Sequence, residues 1–158
     1  MTIYYRYVID DIKYESTDFI IKKYNDIEYL NCYNNKLTNL PKLPLKLKTL
    51  YCEYNKLNNL PILSNNLIKL ICEYNKLTNL PELPNSLIDL DCFHNKIIYL
   101  PILPNKLIYL ECSENKLITL SKINKHKINK TYSYNLIKYI NIYDLSTIQI
   151  KIYNYIKF

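Results

Sequence analysis

Apolar and polar positions along this chain repeat with a period of 20 residues. Residues 47–66 read LKTLYCEYNKLNNLPILSNN, and residues 67–86 read LIKLICEYNKLTNLPELPNS. Five such blocks fill residues 27–126 without an insertion. Several positions do not vary, among them the sixth and the ninth, which carry Cys32, Cys52, Cys72, Cys92 and Cys112, and Asn35, Asn55, Asn75, Asn95 and Asn115. Self-similarity at a fixed period of this length is typical of stacked solenoid repeats.

Each block begins with the alternation of a short strand that is buried on one face. In the second block Leu50 and Cys52 are apolar, while the positions beside them change from block to block, which is the two-residue period of a strand. Leu57, Leu60 and Leu63 continue the inward set. All seven prolines lie in this second half of the blocks, where they exclude a helix and favour an extended, polyproline-like return path.

The repeated asparagines and cysteines are predicted to be structural ladders. The asparagine side chains can bond backbone groups at the turn after the strand. The chain has no glycine, so we expect these asparagines also to adopt the positive φ that a tight turn requires. The cysteines are odd in number and share one inward position. They are therefore predicted to fill the core rather than to form disulfides, bind metal or act as nucleophiles.

The template L-x-x-L-x-C-x-x-N-x-L-x-x-L-P-x-L-P-x-x resembles the leucine-rich repeat, in the short L-P-x-L-P form found in bacterial secreted effectors. The resemblance covers residues 27–126. It implies an α/β-type leucine-rich-repeat solenoid that is in practice mostly β, a right-handed coil with a parallel β-sheet on its concave side and an extended convex side. Effector ligases with such repeats carry a catalytic cysteine in a separate C-terminal domain. No cysteine follows Cys112, so that activity is not implied here.

The segments outside the five repeats are predicted to cap the solenoid. Residues 1–26 form the N-terminal cap, with a strand expected within residues 2–9 and either a strand or a helical turn at 18–24. Residues 127–158 are interpreted as a degenerate sixth repeat followed by a C-terminal capping strand. The strand prediction rests on the alternation of Ile148, Ile150 and Ile152. Left unpaired, such a strand would associate with another chain, which makes a structural, assembly-forming role one alternative function.

The outward strand positions are the third, fifth, seventh and eighth of each block, and they carry the recognition hypothesis. Six acidic residues and one lysine give these positions a net charge of −5, against +7 for the whole chain. Aromatic anchors among charged groups are typical of protein interfaces. We therefore predict a protein-protein interaction module whose concave face binds a partner with a basic segment. The candidate residues are Tyr29, Tyr33, Tyr51, Glu53, Tyr54, Glu73, Tyr74, Asp89, Asp91, Phe93, Tyr109 and Glu111.

A second surface offers another alternative. The tenth position of every block is a lysine, so a row is expected along one edge: Lys36, Lys56, Lys76, Lys96 and Lys116. Such a row could bind a polyanion such as nucleic acid. However, the chain is built largely from residues with AT-rich codons, a bias typical of repeat proteins of large DNA viruses and of AT-rich intracellular microbes. Because that bias accounts for much of the lysine content, a solvated edge is favoured over nucleic-acid binding.

No catalysis, cofactor or metal is predicted. A phosphate-binding glycine loop is excluded by the lack of glycine, and His94 and His126, the two histidines, cannot both serve one triad with these thiols. The N-terminus has no apolar run of signal-peptide length, and no segment approaches the ~18 uncharged apolar residues of a membrane helix. We expect no membrane partner and an intracellular, cytoplasmic location, which would be the host cytoplasm for a viral or effector protein.

Overall fold

The computed structural model describes residues 5–9, 12–16, 24–118 and 129–131. Its strands form an eight-stranded sheet in the order β2-β1-β3-β4-β5-β6-β7-β8. A single 3-10 turn at Tyr24–Asp26 precedes β3, and the described residues contain no α-helix. The strands are β1 (Tyr5–Ile9), β2 (Ile12–Ser16), β3 (Tyr29–Asn31), β4 (Thr49–Tyr51), β5 (Lys69–Ile71), β6 (Asp89–Asp91), β7 (Tyr109–Glu111) and β8 (Asn129–Thr131).

One coil of the solenoid corresponds to one 20-residue block. Strands β3 to β8 are parallel, and each pairs with the next in direct register, so that Leu50 lies opposite Leu70 and Leu70 opposite Leu90. The register follows from the period, because a uniform block returns the same inward side chain to the same place. The predicted parallel-strand solenoid of mostly β character is confirmed.

The hydrophobic core lies directly behind the sheet. The first and fourth residues of the blocks are fully buried, as Leu47 and Leu50 illustrate, each with 0% exposure. Burial weakens towards the return path, where Leu60 remains 8% exposed and Leu103 is only partly buried. Since one coil covers only the coil beside it, this core depends on consecutive repeats being stacked.

Four of the five ninth-position asparagines form a buried hydrogen-bonded ladder, whereas Asn35 is half-buried and its Nδ2 group donates to the Tyr33 carbonyl of its own turn. The Asn75 Oδ1 atom accepts the Leu57 N–H at 3.0 Å. Its Nδ2 group donates to the carbonyl oxygens of Cys52 at 2.9 Å, Cys72 at 3.2 Å and Glu73 at 3.1 Å. Each side chain therefore ties its own turn to the preceding coil. Three further asparagines make the same set of bonds: Asn55, Asn95 and Asn115.

The prediction that these asparagines adopt positive φ is wrong. Positive φ falls on the residue before each asparagine, at the eighth position: Asn34 (53°), Tyr54 (56°), Tyr74 (49°), His94 (49°) and Glu114 (53°). In the first repeat Lys36 also has positive φ, at 59°. The ninth side chain must point inward to reach the ladder, so the backbone reverses one residue earlier, where the side chain is exposed or half-buried. Bulky residues tolerate this conformation at some cost in strain.

The sixth-position cysteines are buried thiols that form no disulfide. Each has 0% exposure, and the Cys72 Sγ atom lies 3.4 Å from the Asp91 carbonyl oxygen of the next coil. The same carbonyl accepts the Cys72 N–H at 2.8 Å. The thiol is therefore a small core side chain that can donate a weak hydrogen bond between coils.

We expect these thiols to be inert in the native protein. Burial raises the pKa of Cys32 to about 12 and raises the pKa of Cys52 and Cys72 well above the ordinary range, so almost no nucleophilic thiolate forms at about pH 8. Titration with a chromogenic thiol reagent should detect negligible reaction before denaturant is added and all five thiols afterwards. Rapid reaction of any thiol in the folded protein would contradict the described core.

At the N-terminal end, the sheet continues into a hairpin. β1 pairs antiparallel with β3 and with β2, so the strand expected within residues 2–9 is present, whereas β2 was not anticipated. Residues 17–23 lie outside the described part of the chain. Of the segment 18–24, which was predicted to be a strand or a helical turn, only Tyr24 is described, and it begins the 3-10 turn. The proposed capping strand at residues 146–158 also lies outside it. The division into caps and five repeats stays a prediction.

Candidate functional site

Strand alternation brings the recognition candidates onto one face of the sheet. In β4, Thr49 and Tyr51 are half-buried on either side of the fully buried Leu50, and β3, β5 and β6 repeat the pattern. Successive side chains of a strand point to opposite faces, so the third, fifth, seventh and eighth positions of the repeats line one surface. We call this surface the concave face.

Carboxylates crowd the middle of the concave face. Burial raises the pKa of Glu53, and the neighbouring Glu73 and Asp91 carboxylates raise it further. The pKa of Glu73 is raised by burial and then by Glu111. The pKa of Asp91 is raised to about 6, first by burial and then by Glu73, Glu111 and Asp89. These carboxylates therefore repel one another across neighbouring coils in a partly desolvated setting.

The lysine of this face already forms an ion pair within the face. Lys69 Nζ lies 2.6 Å from the Asp89 Oδ2 atom and 5.9 Å from the centroid of the Tyr51 ring. Within the described residues, two buried carboxylate oxygens have no hydrogen-bond partner, Glu53 Oε2 and Asp89 Oδ1. The face therefore has an excess of acceptors and negative charge that its own side chains do not satisfy.

Two of the carboxylates also organise the local backbone. The Asp91 Oδ1 atom accepts the Phe93 N–H at 3.0 Å, and the Glu111 Oε1 atom accepts the Ser113 N–H at 2.8 Å and the Ser113 hydroxyl. This bonding leaves Ser113 only 2% exposed. Ser113 therefore lies at an outward position but is covered, because its side chain bonds a carboxylate of the same face.

Aromatic rings form a continuous stack along the rim where the strands end. The rings of Tyr54 and Tyr74 stack with centroids 4.4 Å apart, and Tyr33 meets Tyr54 at 5.4 Å. On the other side, Tyr74 contacts His94 at 4.9 Å and Phe93 at 5.2 Å. His94 was missing from the sequence-based candidates, although its eighth position, shared with Tyr54 and Tyr74, was the signal that could have included it.

The twelve candidates thus fall into two neighbouring groups. The aromatic group lies in the first four repeats, from Tyr29 to Phe93, and includes a second contact, between Tyr29 and Tyr51 at 5.4 Å. The acidic group lies in the central and later repeats. Tyr109, which is 40% exposed, belongs to the acidic group, since burial and the Asp91 and Glu111 carboxylates raise its pKa.

We expect Asp91→Asn to stabilise the protein at about pH 7.5. Because the pKa of Asp91 is raised to about 6 on folding, its contribution to stability is present below the unfolded pKa near 4 and is lost as the pH rises through 6. The amide oxygen can still accept the Phe93 N–H. Asp91 is only partly buried, so solvent screening limits the gain to about 1 kcal/mol.

Denaturant titrations at about pH 7.5 and about pH 4.5 test this sign. The gain from Asp91→Asn should be largest at the higher pH and fall by more than half at the lower pH, where the carboxyl of the folded wild type is already mostly protonated. Equal destabilisation at both values would show that the Asp91 carboxylate is not strained by burial and like charge.

Metal sites and membrane-spanning helices are both absent from the described ranges. Across residues 5–9, 12–16, 24–118 and 129–131, no three His, Cys, Asp or Glu side chains are grouped so as to hold a metal ion. The same ranges contain no helix that is long and apolar enough to span a membrane.

Comparison with known proteins finds similar folds among solved structures. No protein-family model and no curated protein sequence matches the chain. Among solved structures, the leucine-rich-repeat domain of a Shigella effector superposes with a TM-score of 0.67 at 35% identity, covering 70% of this chain and 51% of that one. The chain is a leucine-rich-repeat protein. The match and the 20-residue coils also agree on the short repeat type that was recognised in the sequence.

A second solved structure is more distantly similar to this leucine-rich-repeat protein. YopM from Yersinia enterocolitica WA-314 gives a TM-score of 0.49 at 28% identity, covering 68% of this chain and 34% of that one. The chain therefore spans about half of the Shigella domain and about a third of YopM. The chain shares its leucine-rich-repeat fold with the Shigella domain.

Proposed function

We propose that this leucine-rich-repeat protein is a non-catalytic interaction module that binds a basic segment of a partner protein through its concave face. One observation carries the proposal: the carboxylates of Glu53, Glu73 and Asp91 are partly desolvated and close enough to raise one another's pKa. The one lysine among them is paired with Asp89. Lysine or arginine side chains of a partner would supply the missing charge.

The energetics favour a cationic partner over a neutral one. Each unit by which a carboxyl pKa is raised corresponds to about 1.4 kcal/mol of unfavourable interaction in the charged form. A partner ammonium or guanidinium group that approaches these carboxylates removes part of that cost as it binds, and complementary charge also accelerates the encounter.

The aromatic rim supplies the apolar part of the interface. Tyrosine is enriched at binding hot spots because its rigid ring buries a large area while its hydroxyl still bonds water or a partner. Tyr33 is 48% exposed and Tyr54 is 41% exposed, so both retain surface to cover. About 20 outward positions correspond to roughly 800 Å² on one side of a standard interface. A basic segment flanked by apolar residues fits both groups.

A titration with a defined probe tests the proposal. Fluorescence anisotropy would measure the affinity of short labelled lysine- and arginine-rich peptides with interspersed leucines. Glu73→Gln/Asp91→Asn should weaken binding about tenfold or more, or about 1.4 kcal/mol. The matched control Glu28→Gln/Glu82→Gln removes the same charge from exposed positions off the face and should leave affinity within about twofold. Equal losses in both variants, or no binding by wild type to any of these peptides, would contradict it.

The cellular location and the role of the terminal segments also belong to the proposal. Five buried thiols that form no disulfide are typical of proteins in reducing compartments, which supports an intracellular location. Residues 1–26 and 127–158 would serve as the caps that repeat proteins need at their ends. The hairpin of β1 and β2, which pairs with β3, supports the first of these two assignments.

A further inference from the structure

A row of lysines runs along one edge of the solenoid, apart from the concave face. Its five members are exposed, and backbone bonds hold them in step. The Lys56 N–H donates to the Leu37 carbonyl at 2.7 Å, and the Lys76 N–H donates to the Leu57 carbonyl at 2.9 Å. Successive lysines are therefore about one strand spacing, ~4.8 Å, apart, which makes the row roughly 19 Å long. The members of this lysine row are Lys36, Lys56, Lys76, Lys96 and Lys116.

The surroundings of the lysine row leave its charge uncompensated. In the described residues the ion pairs are Lys48 with Glu28 and Lys69 with Asp89, and neither involves the row. The exposed residues that follow each lysine along the coil are neutral, for example Thr38 and Asn58. In the first three repeats these residues offer a hydroxyl or an amide group, whereas Ile98 and Ile118 occupy the same position in the fourth and fifth. None of them is a carboxylate.

Charge is sorted between two surfaces of the same coils. Residues 24–118 contain ten lysines and nine carboxylates, a net charge of only +1. The lysine row holds five of these lysines, whereas the concave face holds six of the carboxylates. Codon bias accounts for a high lysine content but would scatter lysines over all exposed positions. It does not account for lysine at the tenth position of five repeats out of five.

We propose that the lysine row binds single-stranded nucleic acid through its phosphates. A linear row suits a flexible polymer with one charge per nucleotide, whose phosphates can adjust to the lysine spacing. Binding to a flat membrane would require lysines spread over a plane. In duplex DNA the phosphates follow a helical path, which leaves a straight edge after a few base pairs. The neighbouring Thr and Asn side chains are donors of the kind that contact phosphate and sugar oxygens.

Binding at this edge would be independent of base sequence. Base stacking requires free aromatic faces, but the nearest rings, Tyr54, Tyr74 and His94, already pack against one another. The interaction is therefore electrostatic and depends steeply on salt. Neutralisation of five phosphates on a single strand predicts a slope of log K against log salt of about −3.5, at about −0.7 per phosphate.

Anisotropy titrations of the full chain with a labelled oligouridine of about 15 nucleotides test the proposal at several salt concentrations. The row variant is Lys56→Ala/Lys76→Ala/Lys96→Ala. The matched control is Lys42→Ala/Lys48→Ala/Lys106→Ala, which removes three exposed lysines from other surfaces. Both variants retain the lysines of residues 122–130. The row variant should lose about tenfold or more in affinity at low salt and reduce the slope by about 2, while the control changes affinity by less than about threefold.

Three results would overturn the proposal: no wild-type binding at low salt, equal losses in the row and control variants, or tighter binding of heparin fragments or anionic vesicles than of the oligonucleotide. Thermal unfolding of both variants should match wild type, because all the replaced side chains are exposed. The outcome is separable from the concave-face proposal, since Glu73→Gln/Asp91→Asn should leave oligonucleotide affinity unchanged or slightly raised.

Discussion

Replacement of Asn75 by alanine is expected to lower the free energy of unfolding by about 3 kcal/mol. The substitution removes four buried hydrogen bonds. Three of the partner groups keep another bond: the carbonyl oxygens of Cys52 and Cys72 are also reached by neighbouring asparagines, and that of Glu73 by a backbone N–H. The Leu57 N–H is left with no acceptor, and one such buried donor costs about 1–3 kcal/mol. The lost bonds and the small void add the remainder.

Chemical denaturation measures this effect, and Asn79→Ala is the matched control. Asn79 lies in the same repeat but is exposed, so its replacement should change stability by less than about 0.5 kcal/mol. If the two substitutions had similar small effects, the asparagine ladder would not be the feature that joins the coils. Asn75→Asp provides a further comparison, because a carboxylate there keeps an acceptor for the Leu57 N–H but cannot donate to the three carbonyls.

The charge reversal Glu73→Lys/Asp91→Lys should reduce affinity for a basic peptide by about 100-fold or more. The change takes the concave face from −5 to −1 and places two ammonium groups where the partner's cations would lie. Removal of one member of a buried, hydrogen-bonded charge pair costs about 2–5 kcal/mol, and reversal adds repulsion to that loss. The variant should remain folded, because Glu73 and Asp91 are only half-buried and neither belongs to the hydrophobic core.

Glu28→Lys/Glu82→Lys is the control for the charge reversal. It changes the net charge of the chain by the same amount at exposed positions off the face, so it isolates local from long-range electrostatics. A salt series separates the two further, since screening of exposed charges acts over about 8–10 Å. A basic peptide that bound both variants equally would have to contact some other surface.

The solenoid could be predicted because the same sequence pattern occurs five times. The inward leucines, the cysteine and the asparagine recur in five blocks, so each block repeats the inference drawn from the others. The error concerned where the turn reverses. Asparagine is the usual residue for positive φ, yet Asn75 is held by its inward bonds, and the reversal falls on Tyr74. That eighth position varies between blocks because the turn demands a backbone conformation and not a particular side chain.

The concave face was only partly predictable for a different reason. Alternation identifies which residues face outward, but the interactions among them depend on neighbours 20 residues away in the chain. The pairing of Lys69 with Asp89 and the inclusion of His94 in the aromatic rim both arise across adjacent coils. Burial of Ser113 follows from its own bond to Glu111. Such cross-coil choices depend on rotamers and local geometry, which a repeat pattern does not specify.

The concave face is the surface that we propose recognises a protein partner. Amide chemical-shift mapping by NMR during titration with the tightest-binding basic peptide tests it most directly. We expect the amide chemical shifts of Tyr51, Glu73 and Asp91 to change most. Those of Ile62 and Ile102, which are 88% and 89% exposed on the return path, should not change. Shifts confined to the return path, with Glu73 and Asp91 unmoved, would contradict it.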